Sequence, residues 1–381
     1  MKNCFYVSLC LFLFVFISCK NNNQKDSLES NSKSITNNIS ITDSIQISHA
    51  GLIYEDKLAD NLLFYNPVSY DVVVYNLKSK TTSAFNKSGD GFDEYTKIYK
   101  NFITFRNDSV IAVSDIKSIK QYNLKGEFLG DIKFDTYDNA FAPLTNLKFY
   151  GDSLLIAMKS LQGNPSRKEF YKDNRKVIFR KNLNAGEENN FINFPEELND
   201  FFEEEYYYND IYSFADLKKE KSFYFVNSNG KVLYEFDVVS KKLNSISLPK
   251  IPYYKILKLP FGKKISQDDI LLNLYRSSFI EGIFKDSKNT FIVFGEGHDK
   301  EYLIDFKKKN KGFPFTVAPN INYSLFRFNE NSDGKLYRLN KGKNLYPFFW
   351  DEQKEEIYML SLNSEFDELN GVTTLYKGKL N

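Results

Sequence analysis

The chain has 381 residues, of which 51 are basic and 49 acidic, so its formal net charge is +2. A balance this near neutrality provides no strongly basic surface, and we therefore expect no nucleic-acid partner. Aromatic residues make up 17% of the chain. That fraction excludes a disordered body and suits a core built from sheets.

The N-terminus has the pattern of an export signal. Lys2 precedes an apolar stretch over residues 4–17, which is shorter than the roughly 20 apolar residues that span a bilayer. Ser18 and Cys19 follow Phe16 and Ile17, and this resembles a bacterial lipobox. The resemblance implies cleavage between Ser18 and Cys19, with acyl chains such as palmitate on Cys19. An ordinary secretory signal and an uncleaved anchor are the alternatives.

The cysteines and histidines limit the chemistry of the body. The chain has three cysteines, the last of them Cys19, so residues 20–381 can form neither a disulfide nor a cysteine zinc site. The two histidines, His49 and His298, lie in no catalytic-triad order and in no HExxH motif. We predict no metal and no cofactor. Residues 20–40 are polar and of low complexity, which predicts a disordered tether. The predicted parts are a signal peptide (1–18), a lipidated cysteine with a flexible linker (19–40) and a folded domain (41–381).

Beyond the tether, short apolar and aromatic runs alternate with turn residues, and this pattern is typical of strands. The pair Asn229-Gly230 is a strong hairpin signal. The predicted strands, in chain order, are Asn61–Tyr65, Asp71–Asn76, Thr81–Phe85, Asp108–Asp115, Ile119–Leu129, Ser222–Val226, Lys231–Asp237, Asn289–Phe294, Tyr302–Phe306 and Lys354–Leu360.

A strand, turn and strand unit recurs and ends near residues 75, 122, 179, 236, 304 and 359. The spacing is close to the roughly 40–50 residues of a four-stranded propeller blade. The fold class predicted is all-β, a six-bladed β-propeller preceded by the lipoprotein signal peptide and the tether. A pair of β-sandwiches and a β-helix are the alternatives.

Residues 87–95 resemble a signature of the six-bladed propeller lipoproteins of Bacteroidetes, Gly-x-Gly-Pro-x-Glu-Tyr/Phe. Phe92 stands where the signature has proline. Residues 108–115, 122–129 and 346–351 are similar to segments of the same group, and the clear resemblance covers residues 60–135. Many members of this group have no assigned function, so the resemblance implies a fold and a location in the cell envelope.

The first candidate binding site combines carboxylates with aromatic rings in the segment 201–210. Glu203, Glu204 and Tyr206 are its members, and such groups suit a sugar or a cationic ligand. A solvated inter-blade loop with buried rings is the other interpretation.

A second candidate site follows a predicted strand, where propeller loops form a binding face. Glu296, His298 and Asp299 could perform acid–base chemistry there if they converge, although solvated turn residues would give the same pattern. Trp350, the single tryptophan, is a candidate binding residue within a run that also suits a core strand. The segment 329–334 resembles the start of a calcium loop, but a polar hairpin turn explains it equally.

No catalytic set is identifiable. The sequence therefore favours a lipid-anchored binding or scaffolding module of the cell envelope over an enzyme. A propeller hydrolase or lyase acting on a polysaccharide or cell-wall substrate is the alternative. The expected partners are a membrane, through the lipid anchor, and an envelope protein or a glycan. The outer membrane is the expected location, and its periplasmic face is favoured over the cell surface because no acidic run follows Cys19.

Overall fold

The structure, a computed structural model, describes residues 37–115, 118–133, 144–159, 176–184, 190–193, 205–206, 212–213, 217–218, 222–227, 232–257, 259–260, 266–310, 321–329, 332–339, 344–362 and 365–381. The predicted signal peptide, the predicted lipidation site Cys19 and the candidate binding residues Glu203 and Glu204 lie outside these residues. The first described element is β1 (Asn37–Ile47), which begins four residues inside the segment predicted to be tether.

Two four-stranded antiparallel meanders follow β1. The first consists of β2 (Ile53–Leu58), β3 (Asn61–Tyr65), β4 (Val72–Asn76) and β5 (Thr81–Phe85), and the second of β6 (Ile103–Asn107), β7 (Val110–Ser114), β8 (Ser118–Asn123) and β9 (Phe128–Lys133). The middle strands are buried on both faces, so they are runs of β-branched and aromatic residues without alternation.

The next two meanders are built in the same way. The third consists of β10 (Leu144–Tyr150), β11 (Leu154–Lys159), β12 (Lys176–Asn182) and β13 (Asn190–Asn193). A short pair links β14 (Glu205–Tyr206) to β20 (Leu259–Pro260). In the fourth meander, β15 (Tyr212–Ser213) and β16 (Leu217–Lys218) share one edge of β17 (Ser222–Asn227), which continues into β18 (Val232–Asp237) and β19 (Leu243–Ser247).

The C-terminal part adds two further meanders and three helices. The elements are α1 (Gln267–Arg276), β21 (Phe279–Lys285), β22 (Thr290–Glu296), α2 (Lys300–Lys309), β23 (Asn322–Phe328), β24 (Lys335–Arg338), β25 (Leu345–Asp351), β26 (Glu356–Ser361), α3 (Glu365–Asn370) and β27 (Thr373–Leu380). Ser266 caps α1, because its hydroxyl accepts a hydrogen bond from the backbone N–H of Asp269 at 3.1 Å.

The strand β1 closes the fold. It pairs antiparallel with β27, from Ile39 opposite Leu380 to Ile47 opposite Thr373, and so supplies the fourth strand of the last meander. Its first residues also run parallel to β24, with Asn37 opposite Tyr337. The two ends of the described chain are therefore joined in one sheet, which removes an exposed edge.

Each meander packs face to face on its neighbours in chain order. One cluster joins Leu63 and Val74 of the first meander to Ile111 and Tyr122 of the second. Equivalent clusters join the second to the third, the third to the fourth and the fourth to the fifth. The last meander packs on the first, where Phe348 meets Phe64 with 6.2 Å between ring centroids. Sheets arranged in this closed order make the fold propeller-like.

Most predicted strands are confirmed, and β17 and β18, which precede and follow the Asn-Gly signal in sequence, pair antiparallel. The strand predicted over Tyr302–Phe306 is wrong, because these residues lie in α2. Leu303 is the buried residue of this short helix, and Lys307, Lys308 and Lys309 lie at its C-terminal end, where positive charge is favourable. The segment 329–334 connects β23 to β24, as expected for the hairpin interpretation.

Candidate functional site: the central channel

The first strands of five meanders surround one cavity of about 610 Å³. These strands are β2, β6, β10, β21 and β25, and the inner ends of the connecting loops complete the wall. The cavity is the central channel of the propeller-like fold. Its volume is in the range of small-molecule binding sites.

Bulges in the inner strands lie at the channel wall. The register shifts at Glu55 in β2, at Glu281 in β21 and at Phe348 in β25. A wider irregularity in β10 covers Asn146 and Leu147. All five residues line the channel. A bulge re-aims a side chain away from the regular alternation, so these strands place polar groups where a regular strand would not.

Lys100 and Glu281 form an ion pair inside the channel. Lys100 comes from the loop before β6, and its Nζ also lies 4.9 Å from the ring centroid of Tyr346. The side chain of Lys100 is 27% exposed and that of Glu281 is 19% exposed, so the pair is partly buried but open to the channel. A positive charge over an aromatic face adds a cation–π attraction to the ion pair.

Glu55 is a buried carboxyl group of the channel. Its Oε1 accepts a hydrogen bond from the backbone N–H of Asn101 at 2.9 Å, whereas its buried Oε2 has no hydrogen-bond partner among the described residues. Burial raises the pKa of Glu55, although the nearby Lys100 ammonium opposes that change. Burial also lowers the pKa of Lys100, against the opposing attraction of Glu55.

Asp56 connects three inner strands. It accepts a hydrogen bond from the backbone N–H of Phe105 at 3.0 Å and another from the hydroxyl of Thr104. Its other oxygen pairs with Lys148 at 2.7 Å. Because Asp56 lies in β2 and its partners come from β6 and β10, we assign Asp56 the structural role of fixing these three strands around the channel.

An aromatic wall faces the charged groups. Tyr54 lies 4.2 Å from Phe348 between ring centroids, and Tyr346 packs on Tyr323 at 5.2 Å. Trp350 packs at 5.2 Å on Phe291, lines the channel, and has a buried Nε1 with no hydrogen-bond partner. The channel therefore combines carboxylates, ammonium groups and ring faces.

The three candidate residues at the end of β22 have different contacts. The carboxylate of Glu296 makes two hydrogen bonds of 3.0 Å with Arg338, and accepts a third from the Ser324 hydroxyl at 2.7 Å. His298 stacks on Tyr302 at 4.8 Å, and burial lowers the pKa of its imidazole. Asp299 occupies the N-cap position of α2 without a side-chain cap bond. Glu296 thus serves to join β22, β23 and β24.

The remaining predicted binding residues divide between two locations. Tyr206 lies in β14, and Trp350 lies in the channel wall. Sequence reasoning missed Glu55, Lys100 and Glu281. For the two glutamates a weak signal existed, since each follows two apolar residues at the start of its strand: Ile-Tyr-Glu in β2 and Phe-Ile-Glu in β21.

Two further observations concern the described part of the chain. None of its helices combines the length and the apolar character that crossing a bilayer requires. Within the same residues, no three His, Cys, Asp or Glu side chains lie close enough to share a metal ion.

The protein is thus a propeller-like β protein with a charged central channel. No family profile matches the sequence, and no curated protein matches it. Among solved structures, it is similar to a member of the DUF4221 family from Bacteroides vulgatus, with 14% identity, a TM-score of 0.63, and coverage of 92% of this chain and 99% of that chain. It is also similar to a putative exported protein from Bacteroides fragilis, with 12% identity, a TM-score of 0.48, and coverage of 93% of each chain. At these identities the similarity shows the fold alone.

Proposed function

We propose that the protein is a lipid-anchored binding module of the cell envelope whose ligand enters the central channel. The observation that carries this proposal is the cavity of about 610 Å³ that holds Glu55, Lys100 and Glu281 opposite an aromatic wall. Such convergence of charged and aromatic groups in one concave site is what a small polar ligand requires. A glycan or cell-wall fragment has matching size and polarity.

The proposed anchor is the lipid on Cys19, in the outer membrane and on its periplasmic face. The apolar segment 4–17 followed by Ser18 and Cys19 supports it. More than one acyl chain is needed for stable attachment, and lipidation at a lipobox supplies several. The tether then spans residues 20–36, since β1 begins at Asn37.

The proposed blade number is six. Five meanders follow one another from β2 to β24, and β25, β26, β27 and β1 make the last. This count agrees with the six repeating units of the sequence, although the fifth unit ends in β23 and β24 and not at residue 304.

Tryptophan fluorescence tests the channel-binding proposal directly, because Trp350 is the single tryptophan and lines the cavity. The detergent-solubilised full-length protein would be titrated with soluble glycan fractions and with a muramidase digest of peptidoglycan. Binding in the channel should change the Trp350 emission and raise the Tm. If no fraction alters either quantity, the channel is not a binding site for envelope glycans.

A second candidate function is acid–base catalysis on a polysaccharide, favoured by the raised pKa of Glu55 beside Glu281 in the same cavity. A carboxyl group that stays protonated near neutral pH can act as a general acid. Under this function, Glu55→Gln should abolish turnover of a bound glycan and leave the Trp350 response intact. If the unaltered protein binds a glycan but never cleaves it, the catalytic function is wrong and the binding function stands.

A further inference from the structure

Resting on the proposed function, we infer that the channel takes a ligand with a protonated primary amine, which binds where the Lys100 ammonium now lies. The ammonium of Lys100 thus acts as an internal occupant of a cation site, and an amine-bearing ligand displaces it. The site consists of the Glu281 carboxylate and the ring face of Tyr346.

The charge of the channel wall supports a cationic ligand. Its lining includes six carboxyl groups and four lysines. Because burial keeps Glu55 protonated, five carboxylates face four ammonium groups, and the wall has an excess of one negative charge. A concave wall with excess negative charge attracts cations more strongly than the same charges would on a flat surface.

Most of the other channel carboxylates already have partners from the protein. Asp56 is held by Lys148 and by a backbone N–H, and Asp351 pairs with Lys354 at 2.9 Å. Glu352 accepts hydrogen bonds from the backbone and the hydroxyl of Ser287. These contacts tie neighbouring strands and turns together, so a ligand that broke them would disturb the fold.

The site around Lys100 differs because its cation comes from a connecting loop and is open to the channel. The lysine ammonium ends a flexible four-carbon chain that comes from a loop and is 27% exposed. When that chain swings aside, Glu281 loses its counter-ion and the Tyr346 ring loses its cation. A neutral polyol would leave this carboxylate without a counter-ion, whereas a ligand ammonium restores both contacts.

The test compares a diamine with its uncharged isostere. The detergent-solubilised full-length protein at pH 7.5 would be titrated with 1,4-diaminobutane and with 1,4-butanediol. Calorimetry and Trp350 emission would measure binding. The diamine should bind and the diol should not. Glu281→Gln should weaken diamine binding at least tenfold, while Glu301→Gln, on the exposed start of α2, should leave it unchanged.

The decisive variant is Lys100→Met, which removes the internal competitor and should tighten diamine binding about tenfold. If Lys100 were needed only for folding, its replacement would weaken diamine binding. Lys100→Gln provides the same test if the methionine variant does not fold.

Weaker diamine binding in both Lys100 variants, or equal binding of the diamine and the diol, would overturn the inference. If a neutral glycan changes Trp350 emission equally in the unaltered protein and in Glu281→Gln, the binding proposal holds and the amine inference fails. If neither the glycan fractions nor the diamine produce any response, both are wrong.

Discussion

Lys100 and Glu281, 181 residues apart in the sequence, form an ion pair inside the central channel. One comes from the loop before β6 and the other from a bulge in β21, so the pair links the second meander to the fifth. A contact this distant in sequence forms only when these two meanders pack around the same channel. The pair therefore depends on tertiary packing and contributes to the chemistry of the channel.

Removing one partner of this pair should cost stability. Lys100→Met leaves Glu281 without its counter-ion at a partly buried position, and we expect a loss of about 1–3 kcal/mol in the free energy of unfolding. The double variant Lys100→Met with Glu281→Gln should recover part of that loss, because no unpaired charge remains. Urea unfolding of the two single variants and the double variant gives the coupling energy. Strict additivity of the two single losses would contradict a direct interaction.

The stability of the protein should depend on pH through Glu55. Burial raises the pKa of Glu55 above the ordinary value of 4.5, so the folded state keeps a proton that the unfolded state releases. This contribution to stability is complete below pH 4.5 and is lost as the pH rises through the folded-state pKa.

The experiment on Glu55 is urea unfolding from pH 5 to pH 8. The free energy of unfolding should fall across that range, by at most about 1.4 kcal/mol per pH unit for one proton. Glu55→Gln cannot ionise, so this variant should show a flatter profile, while the exposed control Glu301→Gln should follow the unaltered protein. Parallel profiles for Glu55→Gln and the unaltered protein would refute the assignment.

The strand β1 should be essential to the fold. A body that starts at residue 48 lacks the partner of β27 and also loses Ile39 and Ile47, each of which is buried and worth roughly 1.5–3 kcal/mol. We expect this truncation to aggregate or to unfold at a much lower temperature than a body that starts at residue 37. Circular dichroism during heating compares the two. Equal melting temperatures would show that closure through β1 is dispensable.

Cys19 should decide where the protein resides. With Cys19→Ala, no acyl chain can be attached, and the protein should move from the membrane fraction to the soluble fraction after cell lysis. Cys10→Ala is the matched control, since it alters the apolar segment and keeps Cys19. Membrane retention of Cys19→Ala would disprove the lipid anchor.

The class of fold was predictable because strand signals are local. The runs Asn61–Tyr65 and Ser222–Val226 contain the β-branched and aromatic residues that buried strands need, and both form strands. The error at Tyr302–Phe306 has the same origin, since a short apolar run fits a strand or a helix equally well. Only the packing of Leu303 decides between them.

The candidate site was not predictable, because it arises from long-range proximity. Glu296 looked functional by its position after a strand, yet Arg338 from β24 holds its carboxylate. Glu55 and Glu281 line the channel at bulges in β2 and β21. A bulge depends on how two strands pair, and the sequence of one strand does not encode that pairing.

By itself, the sequence determined the near-neutral charge, the body without cysteine and the alternation of short strands and turns, because each depends on composition or on neighbouring residues. The tertiary structure alone decided which charges face one another. The packing of the meanders around the channel brings Lys100 beside Glu281, and burial shifts the pKa values of Lys100 and Glu55. Desolvation and Coulomb attraction depend on distance in space, and the fold alone sets those distances.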